Sequence, residues 1–499
     1  MKHPYKLFRR AGDVVNPIVV KELRQAVQGR FVMGVLVLFL LVSVSAMWLN
    51  IMSIDPTSVD TGAGREAFFQ LWGVLLFTCL LFIPGYTGIR MMNERIDENA
   101  DLMFITTLKP GAIIRGKFVS AVILAILIFS ACMPFITLTY LLRGIDLLSI
   151  FLFLGFSMFM VLCGIGVLLF LACLPTSKST KTLLIVGSLL VMMIFVFQAH
   201  RVADNLLRFG FGGIISTWQF WAPVLSFLAV VMMGMGLLYV LSVALITPPP
   251  ANRALPIRLY ITAICILSGV LARAWSLYDK DHTPMEYWAM GSVILLCLAI
   301  LGGVSERDSL GPRVARTIPR RRFLRIPIFF FYSGGASGVL WAVVMIAGVL
   351  IVLDQWRQGH PLFRLPRDFR DNLDYLIAFG CYFISYSLTA LFLREHILGR
   401  RLRLRPGITW VIAILTMMVL SIVPLLIAFF SQIDLTGEDA YVWFLANPAS
   451  MTSYKRHMDT FLIVSGAWAG ISLLLSLPWF IRQIAAFKPY SSRVPQETA

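Results

Sequence analysis

The chain has 499 residues, of which 58% are hydrophobic and only 14% charged, with a mean hydropathy of +0.81. Soluble globular chains are roughly half apolar and roughly a quarter charged, so this balance excludes a soluble protein. The formal charge of +17 reads as membrane topology and contact with anionic lipid headgroups, not as nucleic-acid binding.

Runs of about 18 or more apolar residues mark candidate spans, here near 31–51, 67–89, 118–142, 148–173, 182–199, 221–246, 257–276, 285–303, 334–353, 374–393, 407–430 and 460–481. The first run is too long for a removable signal peptide and lacks a small-residue cleavage site. The expected fold is an all-α polytopic membrane protein with about twelve transmembrane helices, cytoplasmic termini and an N-terminal interfacial helix. If the N-terminus is cytoplasmic, the inside segments hold 31 of the 43 Lys and Arg, the bias that sets orientation.

Residues 1–30 read as a cytoplasmic lead followed by that interfacial helix. Asn16 is placed to cap it and Pro17 occupies the first position, where a missing N–H costs nothing. Val19, Val20, Leu23 and Val27 then form an apolar face, Lys21, Arg24, Gln25 and Gln28 a polar one, and Gly29 ends the helix before the first span. Glu22 lies within the same helix. Such an amphipathic segment lies along a membrane surface.

Residues 31–250 form a first six-helix core around its longest polar break, 90–117. Glu94, Asp97, Glu98 and Asp101 fall at i, i+3, i+4 and i+7, so a helix there aligns four carboxylates on one face. Ile96, Met103 and Phe104 sit away from that stripe. Thr106–Thr107 and Lys109–Pro110 break the helix, because a residue before proline is pushed out of the α region, and a short amphipathic piece, 111–117, leads into the next span.

Further along, Arg143–Asp146 reads as a tight outside turn and Pro175–Lys181 as a tight inside one. Residues 200–220 are too polar to span but rich in Phe, Trp and Gly, the pattern of short helices dipping into the outer leaflet or of an amphipathic loop. The stretch 247–252, TPPPAN, reads as a boundary, after which 251–499 supply a second six-helix half. That half has a basic segment at 313–333 and large outside loops at 354–373 and 431–459. No sequence repeat relates the halves.

Ionisable residues avoid the middle third of every span; Arg258, Arg273, Glu286 and Asp374 lie at span ends, where they can reach the interface. This argues against an ion-coupled carrier and against an intramembrane protease. The seven cysteines lie in or beside apolar runs without CxxC pairing, so they read as packing residues, and no metal site is expected. Gly111–Lys117 matches GxxxxGK, but Phe118 stands where Ser or Thr must meet magnesium and no strand precedes it. Ser333-Gly334-Gly335 resembles part of an ATPase signature, yet Gly334, Gly335 and Gly338 more simply permit close helix packing. No catalytic residue is identified. A rival reading is a membrane enzyme acting on lipid-linked substrates through Asp354, His360, Asp368, Asp371 and Asp374, interleaved with Arg357, Arg364, Arg367 and Arg370; another is a scaffold that transports nothing.

Asn16-Pro-Ile-Val-Val-Lys-Glu-Leu-Arg24 before a span, and Glu94-Arg95, Asp101-Leu102, Thr106-Thr107-Leu108, Pro110, Ile113-Ile114 and Gly116-Lys117 after the second, are similar to ABC-2 type transporter permeases over about 13–250. The resemblance implies the membrane-spanning subunit of an exporter in the bacterial cytoplasmic (inner) membrane. It implies that Glu94, Arg95, Asp97, Glu98, Asp101, Thr106, Thr107 and Leu108 form a coupling-helix loop contacting a separate cytoplasmic ATPase subunit, and that Asn16, Pro17, Lys21, Glu22 and Arg24 belong to a connecting helix. No cofactor is expected on this chain; ATP and magnesium would bind the ATPase. Ile96 stands where a second acid is common and Glu98–Asn99 where Gly-Thr is common. A simpler member has six spans and dimerises, so a homodimer, a second permease subunit, or this chain's own second half would complete the pore.

Overall fold

The computed structural model describes residues 16–53, 63–96, 109–209, 218–248, 251–307, 311–319, 321–359, 367–398, 406–431 and 438–489. The chain is an all-α polytopic membrane protein: among the described residues there are fifteen α-helices and no strand, and twelve of the helices are long and apolar enough to cross a membrane. Helices are the expected solution, because in lipid every backbone N–H and C=O must find its partner within the segment. The chain divides after Pro248 into two compact units.

The first unit opens with α1 (Pro17–Gln28), followed by spans α2 (Arg30–Ser53), α3 (Ala63–Ile96), α4 (Pro110–Leu141), α5 (Leu147–Cys173), α6 (Lys178–Phe209) and α7 (Trp218–Ile246). Its axis is α3, which packs on α2, α4, α5 and α6. Trp72, Leu75, Leu76 and Cys79 of α3 are completely enclosed, against Ile165 and Leu168 of α5. Small residues bring these two helices together. A Cβ on Gly164 would lie 3.1 Å from both Leu80 and Pro84, and one on Gly88 would lie 3.1 Å from Leu168 Cβ. The indole N–H of Trp72 is satisfied inside the unit by Ser157 Oγ at 2.7 Å. Arg143 and Gly144 take positive φ in the turn between α4 and α5. Asp146 caps α5 there, accepting from the backbone N–H of Ser149 at 3.1 Å and from its hydroxyl at 2.6 Å.

The second unit contains spans α8 (Ala254–Asp279) and α9 (Thr283–Gly303), two short helices, α10 (Pro312–Arg316) and α11 (Arg322–Phe329), and spans α12 (Gly335–Gly359), α13 (Arg367–Phe392), α14 (Thr409–Phe430) and α15 (Met458–Ala486). Here α13 is central, packed on α9, α12, α14 and α15, and its Tyr382 is enclosed together with Phe461 of α15. Residues 438–457 of the expected large loop form three 3-10 turns instead of an open loop. Hydroxyls on α13 anchor them: Tyr375 donates to Met451 O at 2.9 Å, Tyr382 to Leu445 O and Tyr386 to Ala446 O.

Several helices outrun their apolar stretches. The second span continues past residue 89 to Ile96, so Arg90–Ile96 belongs to α3 and not to a separate short helix. Met91 and Met92 remain buried and carry the helix onward. The piece 111–117 is the opening of α4, with Pro110 at its first position and Lys109 extended before it. Residues 200–209 prolong α6 rather than forming helices of their own. The expected loop 354–373 is largely helical: α12 runs to Gly359 and α13 begins at Arg367.

Candidate functional site

The first unit carries a charge cluster where α1 meets the ends of α3 and α4. Local sequence places α1 there. Asn16 Oδ1 accepts from Ile18 N at 3.1 Å, Pro17 fills the first turn, and Gly29 stops the helix. The Asn16 amide also donates to Ala112 O of α4 at 2.6 Å, fastening the start of α1 to the start of that span. The side of α1 that turns inward is neither of the two expected faces but Val19, Glu22 and Ala26, while Val20 and Val27 are exposed.

Glu22 is therefore a buried carboxylate, and two cations answer it. Lys117 of α4 approaches Glu22 Oε1 at 2.7 Å and Arg90 of α3 approaches Oε2 at 3.2 Å. Lys117 is itself almost wholly enclosed, with 3% of its side chain exposed, and its ammonium also lies 2.7 Å from Glu94 Oε2. Lys21 reaches the same Glu94 at 3.5 Å from the open side. Arg90 is held by Gln25 of α1, by the Tyr86 hydroxyl at 2.7 Å and by that ring's face. A buried lysine flanked by two carboxylates is a stable arrangement only because both partners are present; removing either side leaves an uncompensated charge. Gly116 makes the approach feasible: a Cβ there would stand 2.9 Å from Ile18 Cβ and 3.0 Å from the Asn16 amide nitrogen. The Gly-Lys of the phosphate-loop look-alike thus supplies a close contact and an internal cation.

Of the residues expected at the site, Asn16, Pro17, Lys21, Glu22 and Glu94 meet in this cluster, and Arg24 is exposed on α1. Arg95 lies in the last turn of α3. Asp97, Glu98, Asp101, Thr106, Thr107 and Leu108 lie outside the described residues, between the two helices that the cluster binds together. Sequence reasoning did not identify Lys117, Arg90 and Gln25 as members. Lys117 had one usable signal: it is a cation about two turns inside a long apolar helix.

The second unit has its own node. Arg258, expected to reach the interface, is instead 3% exposed. Its guanidinium grips both oxygens of Glu306 at 2.7 and 2.8 Å and donates to the carbonyls of Phe330 (2.9 Å), Tyr332 (2.7 Å) and Gly334 (3.3 Å) and to the Ser337 hydroxyl (3.0 Å). Glu306 Oε2 in turn accepts from Gly334 N at 2.7 Å. Asn252 holds Ser333 through its side-chain oxygen, and Gln483 accepts from Ala336 N at 2.9 Å. The Ser-Gly-Gly stretch is therefore a turn gathered around one arginine. Glycine is needed there: a Cβ on Gly338 would be 2.8 Å from Arg258 Nη2.

The charged segment 354–374 is gathered less tightly. Asp354 accepts from Gln358 at 2.7 Å and Glu286 from Asn372 at 2.9 Å; His360 and Arg364 lie outside the described residues, as do the side chains of Arg357, Arg367, Asp368, Arg370 and Asp371. Among the described residues no group of three or more His, Cys, Asp or Glu could hold a metal. Compared with family models, with curated proteins and with solved structures, the chain matches none.

Proposed function

We propose that the chain is the membrane-spanning permease subunit of an ATP-binding cassette exporter in a bacterial inner membrane, driven by a separate cytoplasmic ATPase. The observation that carries this reading is the cluster of Glu22, Lys117, Glu94 and Arg90, which joins a surface helix to both spans flanking 97–108. A push on that segment is delivered to α3 and α4 together, and α1 moves with them, since the three helices share buried ion pairs. The acidic residues of 97–108 offer a soluble partner a charged foothold. The sequence similarity to ABC-2 permeases, covering both α1 and this segment, supports the same reading. Chemistry on this chain is not required: work is done by rocking the spans between inward- and outward-open states, and the substrate class stays open.

Charge reversal at Asp97, Glu98 and Asp101 tests this. Glu94 is left native because Lys117 and Lys21 already engage it. The variant should insert normally and lose the co-purifying ATPase; undiminished association would remove the docking role.

A further inference from the structure

Number the spans one to six within each unit, α2 to α7 in the first and α8, α9, α12, α13, α14 and α15 in the second. Every pair of spans that packs in the second unit then has a packed counterpart at the same ordinal place in the first. In both, span two packs on one, three, four and five, span four packs on three, five and six, and span three packs on six. The first unit also packs its first span on its third. Consecutive helices usually meet in any bundle, so one-on-two or three-on-four carries little weight. The pairs two-on-four, two-on-five, three-on-six and four-on-six are not dictated by chain continuity. Neither unit sets spans five and six, neighbours in sequence, substantially against each other among the described residues.

Each unit also carries a charge node beside the end of its span two. Glu94 closes span two of the first unit and Glu306 follows span two of the second by three residues. Each neutralises a buried cation near the start of another span, but not of the equivalent one: Lys117 on span three of the first unit and Arg258 on span one of the second, each at 2.7 Å. In each unit a glycine near the start of span three, Gly116 or Gly338, makes room at that node. The units differ in the span that carries the cation, in the packing of span one on span three, and in the amphipathic helix, which precedes span one in the first and span three, as α11, in the second. Since six spans, an even number, separate the two starts, the repeat is parallel and not inverted.

We infer that the two units are tandem copies of one six-helix plan, so that a single chain supplies both halves of the membrane assembly and requires no second copy of itself. The repeat stands on the packing alone; its meaning as two halves of a pore rests on the export reading above.

The test is a count of chains in the intact assembly. The full-length protein is isolated from its native membranes and weighed by native mass spectrometry, and the fluorescently tagged chain is counted by single-molecule photobleaching in those membranes. One chain per particle, with or without bound ATPase, supports the inference. Two chains per particle overturn it while leaving the export reading intact. One chain with no ATPase under any condition upholds the inference and removes the export reading instead.

Discussion

Lys117 Nζ lies 2.7 Å from Glu22 Oε1, joining residues 95 apart in sequence at a site almost closed to solvent. A lysine buried to this degree is tolerated only with its counter-charges in place, so the contact fixes α1 against the base of α4. The consequences are measurable.

Lys117→Met keeps the length of the side chain and removes its charge. Glu22 then retains Arg90, and Glu94 is left with Lys21, the more distant and exposed of its ion-pair partners, and the charge of Arg90. Loss of one side of a buried pair costs about 3–5 kcal/mol, so the thermal unfolding midpoint in detergent should fall clearly. Adding Glu22→Gln should recover part of that loss, with a coupling of about 1 kcal/mol or more. Additive effects in the double-mutant cycle would show that the pair does not act as a unit.

Gly116→Ala places a methyl group 2.9 Å from Ile18 Cβ. Overpacking at a rigid contact costs about 1–3 kcal/mol, and the yielding partner here is α1, which is anchored only at one side. Limited proteolysis within 16–28 should accelerate while the spans stay protected. Unchanged cleavage kinetics would mean that α1 accommodates the methyl in place.

Arg258→Lys keeps the charge but loses the planar fork that serves Glu306 and three carbonyls at once. Lysine cannot reproduce that geometry, so Arg258→Lys should be nearly as unstable as Arg258→Met in thermal melts. Full recovery by lysine would reduce the node to simple charge neutralisation.

The cap at Asp146 gives a pH signature. Partial burial raises its carboxyl, but hydrogen bonds from the Ser149 hydroxyl and backbone N–H outweigh this and hold it below the usual carboxylate range. A folded-state pKa below the unfolded value of about 3.9 means the stabilisation is complete above that value and is lost as pH falls through the folded pKa. Asp146→Asn should therefore flatten part of the acid side of the stability profile and leave the neutral plateau nearly unchanged. An identical acid limb in the two proteins would contradict the cap.

What the sequence disclosed follows from what lipid demands of it. Spans are legible because hydrocarbon requires long apolar runs, and α1 because Asn16, Pro17 and Gly29 each act within one turn of its ends. The extension of α3 to Ile96 was hidden, since hydropathy stops at the last apolar residue while helical hydrogen bonding does not. The Glu22–Lys117 pair leaves no periodic trace: two charges far apart in sequence carry no sign of each other. Arg258 misled for a related reason, because a cation at a span end looks the same whether it reaches water or a turn folded over it. The repeated plan of the two units is invisible for another: helix neighbours in a bilayer are chosen by shape, and many combinations of Leu, Val, Phe and Gly fill the same interfaces.

The central claim is that an external ATPase works through the segment between α3 and α4. A photo-cross-linking residue in place of Glu98, in full-length protein in native membranes, tests it most directly. The account predicts an adduct with an ATP-binding cytoplasmic protein, weakened by Asp97 and Asp101 charge reversal, and none from the same probe at His360. An adduct to that protein from position 360 and not from 98, or labelling of Glu98 from the extracellular side, would contradict it.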